Sequence, residues 1–196
     1  MAIPGRLQAL VALAATVPLV SWATRANHTQ QCGVLTGLET RGLPRPKTHI
    51  NRYYLESQGT TILSQEALPV KAKGSPVRDL QGVVQYRGQI PDPAPTLTLQ
   101  LHVVDTLERP IDQRQLVMLV DDSVRMEFGS MRTYRRNKPG SRTVDQSLTA
   151  DIPSHPFTLL AYAHRAAFLV GDSEVDLTPR HLEALRALYV AAVCGP

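Results

Sequence analysis

The chain has 196 residues, 43% of them hydrophobic and 19% charged, with 15 prolines and 2 cysteines. That balance excludes a disordered or fibrous chain and fits one domain or two small ones. The formal net charge is +4, but the first 26 residues hold Arg6 and Arg25 and no acid; without them 19 basic residues face 17 acidic ones. So even a balance argues against a surface built to neutralise phosphates, and no nucleic acid is expected as a partner.

Met1 to Ala26 has the three parts of a secretory signal: a short basic start at Arg6, an apolar run from Leu7 to Val20, and small residues at Ser21, Ala23, Thr24 and Ala26. The apolar run is short for a membrane span and contains Pro18. The expectation is a cleaved signal over 1–26, a single domain over 27–196, and a secreted or periplasmic protein with no membrane span after cleavage. An uncleaved N-terminal anchor is the alternative. Asn27-His28-Thr29 matches a glycosylation sequon, which matters only in a eukaryotic source. Export also gives the cysteines a role. Cys32 and Cys194 stand near opposite ends of the exported chain and are expected to form one disulfide. No Cys-x-x-Cys pair or histidine cluster suggests a metal or redox role, so neither metal nor cofactor is expected.

Residues 33–49 are rich in Gly, Pro and basic side chains and are expected to be an irregular lead-in. Arg52 to Ser57 and Thr60 to Glu66 are short β-type runs around Gln58-Gly59, which predicts a hairpin. A strand is expected near 78–88, ended by Pro91, Pro93 and Pro95. The clearest period of two runs from Thr96 to Val104, with Leu97, Leu99, Leu101 and Val103 on one face and Thr98, Gln100 and His102 on the other. One buried and one wet face belong to an antiparallel sheet. Leu116 to Val120 is unbroken apolar, Asp121-Asp122 is a turn, and Val124, Met126 and Phe128 alternate with Arg125 and Glu127. A Lys-Pro-Gly turn lies within 132–142, and a last strand follows near 143–152.

Beyond Ile152 the period changes to that of a helix. Ser154 is expected to cap one over Phe157, Leu160, Ala161 and His164. A hairpin turns at Gly171-Asp172. Thr178 caps a second helix with Pro179 in its first turn, Leu177 and Leu182 as a hydrophobic staple, and Leu182, Leu185, Leu188, Tyr189, Ala192 and Val193 as its apolar stripe. Arg180, Glu183 and Arg186 are expected on its wet face and His181 exposed in its first turn. The fold class expected is α+β: an antiparallel β-meander, as a sandwich or partly closed barrel, capped by a C-terminal helix–hairpin–helix unit.

The chain carries no nucleophile elbow, no Ser-x-x-Lys and no phosphate loop. Asp121, Asp122, Asp105 and Glu127 offer oxygen ligands, but without a cation-loop spacing they are read as turn and strand residues. Asp151, Ser154 and His155 are the three triad residue types, yet adjacency in sequence is not triad geometry. Two surfaces remain. One is the basic run Arg132, Tyr134, Arg135, Arg136, Lys138 and Arg142, expected near a hairpin tip. The other joins His102 with Arg125 and Glu127 on one wet sheet face. The expected function is a non-catalytic, exported binding domain for a protein or a small-molecule ligand. The alternatives are a hydrolase-like secreted enzyme on the polar sheet face and a barrel-type carrier.

Overall fold

The computed structural model describes residues 32–71, 75–106, 115–137 and 143–195. The signal segment 1–26, the Asn27 sequon, Lys138 and Arg142 lie outside the described residues. The strand with the cleanest alternation, β5 (Leu97–Thr106), lies inside a seven-stranded antiparallel sheet. The sheet runs β1 (Asn51–Leu55), β2 (Thr60–Ser64), β4 (Val77–Arg87), β5, β9 (Thr143–Ile152), β8 (Arg132–Asn137), and the short β3 (Leu68–Pro69) pairs with β4. Leu97, Leu99 and Leu101 are buried and sit opposite Ile152, Ala150 and Leu148, so both strands turn the same apolar face inward. A bulge between Val77 and Asp79 shifts β4 by one residue, which lets both Val77 and Leu80 point inward.

The order is not a simple meander. β6 (Gln115–Val120) and β7 (Val124–Ser130) leave for a second sheet, of order β11 (Ser173–Asp176), β10 (Ala166–Val170), β6, β7, before β8 and β9 return to the first. The hairpin β10–β11 therefore extends the second sheet and is not part of a cap. Leu116, Met118 and Val120 need an apolar neighbour on the edge away from β7, and Val170, Phe168 and Ala166 supply it in register. Both sheets are open. The α+β class holds, and the described strands close no barrel that could enclose a cavity. Asp121 and Asp122 form the β6–β7 turn at φ 48° and 58°, a left-handed conformation that Asp tolerates.

Residues 33–40, expected as irregular, form helix α1 (Gly33–Thr40). Gly37 is there for packing: a Cβ would lie 2.8 Å from the Tyr162 hydroxyl, which donates to the Val34 carbonyl at 3.2 Å. Helix α2 (Ser154–Ala161) is capped at Pro153 with no side-chain cap, so Ser154 does not cap it. Its last residue is Ala161, which leaves His164 in the exposed turn beyond. There Asp121 Oδ1 accepts the backbone N–H groups of His164 and Arg165 at 2.9 and 2.8 Å.

Helix α3 (Pro179–Cys194) follows the expected stripe and staple, but it is enclosed on more sides than one stripe needs. It packs on the inner face of the large sheet, where a Cβ at Gly82 would come 2.8 Å from Leu188 Cδ2. Across from it, the rings of Phe157 and Tyr189 meet edge to face at 5.0 Å. Two polar residues expected in water are buried as a result: His181, 2% exposed, and Arg186, 4% exposed. The inner faces of both sheets and the apolar faces of α2 and α3 share one core. The expected bridge is present: Cys32 and Cys194 are joined, with Cα atoms 5.6 Å apart, tying the start of α1 to the end of α3.

His181 completes a capping box. The Thr178 hydroxyl accepts from the His181 backbone N–H, and Nδ1 of the ring takes the Thr178 N–H at 3.1 Å. Burial lowers its proton affinity below the ordinary 6.5, with Arg180 adding to the shift and hydrogen bonding at the Leu68 and Pro69 backbone opposing it. A group with a depressed folded pKa contributes stability that is present above its unfolded value and lost as pH falls toward the folded one. The melting temperature is therefore expected to fall on acidification from about pH 6.5 to about pH 5, before most carboxylates titrate. Thermal melts of the wild type and His181→Gln across that range check this. Parallel losses in both proteins would rule His181 out as the cause.

Candidate functional site

The outer face of the large sheet carries the side chains that alternate with the core. Because the strands are antiparallel and in register, those side chains line up in rows across β4, β5, β9 and β8. One row is Asp79, His102, Ser147 and Tyr134; the next is Gln81, Gln100, Thr149 and Arg132. To one side stand Val104, Asp145 and Arg136; to the other, Val83, Thr98 and Asp151.

Three contacts order this face. His102 Nδ1 and Asp79 Oδ2 are 3.0 Å apart, with side chains 44% and 33% exposed, so the pair orients the imidazole more than it stabilises the fold. Asp151 accepts from the Thr98 hydroxyl at 2.8 Å and from Arg132 Nη2 at 3.0 Å. Beside them Tyr134 is 74% exposed, one of the few large apolar side chains left in water.

The two surfaces expected from sequence are thereby rearranged. Arg132, Tyr134 and Arg136 stand on edge strand β8, one arm of the β8–β9 hairpin whose 138–142 connection lies outside the described residues, and they share a face with His102, while Arg135 alternates to the other side of that strand. Arg125 and Glu127 belong to β7 of the other sheet, where they pair with each other at 3.2 Å, so they share no sheet face with His102. The carboxylate that meets His102 is Asp79, which sequence reasoning missed. The alternation Leu80, Val84, Tyr86 already turns Asp79 outward, but no local spacing announces the β4–β5 register that sets it beside His102.

Asp79, His102 and Ser147 repeat the residue types of a nucleophilic triad in one row, but no hydrogen bond joins Ser147 to His102. The backbone N–H groups of these inner strands are engaged in the sheet ladders, which leaves no paired donors for an oxyanion beside Ser147. Among the described residues no group of three His, Cys, Asp or Glu side chains is placed to hold a metal ion. Asp121 and Asp122 serve the turn, Asp122 pairing with Arg165 at 2.9 Å. No helix of the described residues is long and apolar enough to cross a membrane. Set against known protein families, curated protein sequences and solved structures, the chain matches none of them.

Proposed function

We propose that the chain is an exported, non-catalytic binding domain whose protein partner docks on the outer face of the large sheet, anchored at its β8 edge by Tyr134. The observation that carries the reading is Tyr134 standing 74% exposed between Arg132 and Arg136 on a sheet face that none of the described elements covers. Tyr and Arg are the residue types that most often dominate the energy of a protein interface. Asp151 holds Arg132 in place in advance, which lowers the ordering cost of association. Size agrees. Six strands at about 4.8 Å and ten-residue central strands at about 3.3 Å per residue give a face of roughly 24 by 33 Å. That is about the 800 Å² one partner contributes to a standard interface. Secretion or a periplasmic location is part of the proposal, supported by the Cys32–Cys194 disulfide, a bond that persists in oxidising compartments.

The test is site-specific photo-crosslinking in the source cell, with the reactive residue at position 134 or, as control, at 127 on the other sheet. A discrete adduct is expected at 134, lost in Arg132→Ala/Arg136→Ala protein of unchanged melting temperature. No adduct at 134, or the same adducts at both positions, would overturn the reading. The hydrolytic alternative has one observation in its favour, the Asp79–His102 pair. It requires ester hydrolysis that disappears in both His102→Ala and Ser147→Ala.

A further inference from the structure

A second surface lies away from that sheet face and owes nothing to it. After α1 the chain runs extended from Leu43 to Ile50 across the flank of α3, where the Lys47 backbone N–H donates to Glu183 Oε1 at 3.0 Å. Between this strap and the C-terminal half of α3 is a groove of about 500 Å³, within the size range of small-molecule sites. Its floor is apolar, made by Ile50, Leu63 and Val190 with small alanines of α3, and its rim is basic, made by Lys47, His49 and Arg52. Among the described residues no acidic side chain lines it. Arg52 is aimed by one hydrogen bond, from Nη2 to the Gln89 carbonyl at 2.9 Å.

We propose that this groove binds an amphiphilic organic anion of the fatty-acid class, its carboxylate on Lys47 and Arg52 and its acyl chain on Ile50, Leu63 and Val190. The chemistry follows from the lining. Apolar side chains reward burial of a tail at roughly 0.8 kcal/mol per methylene, and a rim of Lys47, His49 and Arg52 selects an anionic head group. The cavity on the other side of His49 shows the contrast. At about 520 Å³ it is as large, but its lining includes both Glu66 and Arg180, with Leu68 and Ala184 as its apolar side chains. Its lining carries charges of both signs; that of the groove carries basic side chains alone among the described residues.

The assay is calorimetric titration of the full chain with sodium decanoate below its micelle concentration, with decanol and decyltrimethylammonium at the same chain length. Saturable one-to-one binding of decanoate is expected, with decanol at least tenfold weaker and the cation undetected. Lys47→Gln/Arg52→Gln should weaken decanoate at least tenfold. Lys47→Gln alone, whose ammonium makes no hydrogen bond or ion pair among the described residues, should weaken it several-fold with no change in melting temperature. Val190→Asp should remove binding by charging the floor. Equal binding of anion and cation, no saturable binding, or unchanged affinity in Lys47→Gln would overturn the assignment. So would a dimer that closes the groove and that decanoate leaves intact. Crosslinking at Tyr134 is indifferent to every one of these outcomes.

Discussion

Reducing the Cys32–Cys194 bridge, or replacing both cysteines by alanine, is expected to lower stability by about 3–5 kcal/mol and the melting temperature by roughly 6–20 °C for a chain of this size. The bridge closes a loop across a sequence separation of 162, for which the chain-entropy relation gives about 5 kcal/mol, an upper value for a bridge with no strain. A local effect accompanies the global one. Helix α1 has eight residues and only Leu38 fully buried, too short and too lightly packed to persist on propensity alone. Once reduced, its amides should exchange with solvent faster than those of β5. Melts with and without reductant, with hydrogen exchange over 34–40, measure both effects. A reduced protein melting within a degree of the oxidised one would show that the bridge only decorates ends held by packing.

What the sequence conveyed is what a local period can convey. Leu97, Leu99, Leu101 and Val103 announced β5 because one face is buried and the other wet. Leu182, Leu185 and Leu188 announced α3 in the same way. A period names the face a side chain takes but not the sheet its strand joins, so His102 was grouped with Arg125 and Glu127 although β5 and β7 separate. It also assumes one buried side. Helix α3 is enclosed more widely than that, and His181 and Arg186, placed in water by the pattern, are in the core. In α1 the glycines read as breakers, whereas Gly37 marks the close approach of Tyr162. The outer-face rows and the strap groove rest on contacts between segments far apart in the chain: Asp79 with His102, Lys47 with Glu183, Thr98 with Asp151. No spacing rule reaches that far.

Arg186→Met is expected to cost about 2–4 kcal/mol, read by urea unfolding with the slope unchanged. The Arg186 guanidinium is buried and donates from Nε to the Ala161 carbonyl at 2.9 Å and from Nη2 to the Ala163 carbonyl at 3.1 Å. These carbonyls belong to the end of α2 and the turn after it, where a helix leaves acceptors without backbone partners and its dipole favours a cation. The same turn is held from its other side by Asp121, which takes the N–H groups of His164 and Arg165. Two opposite charges from distant elements thus satisfy the backbone of one turn. Burial lowers the proton affinity of Arg186 and Glu183 partly restores it, yet a guanidinium keeps its proton in either setting. Methionine would match most of the volume but leave both buried carbonyls unpaired, at about 1–3 kcal/mol each, while relief from desolvating a charge returns part of that cost. Lysine can reach one carbonyl but lacks the fork that meets two, so Arg186→Lys should fall between wild type and methionine. If methionine equals or exceeds the wild type, the desolvation cost outweighs the two hydrogen bonds, and the arginine is no net support for the turn. The order arginine, lysine, methionine is what the fork geometry requires.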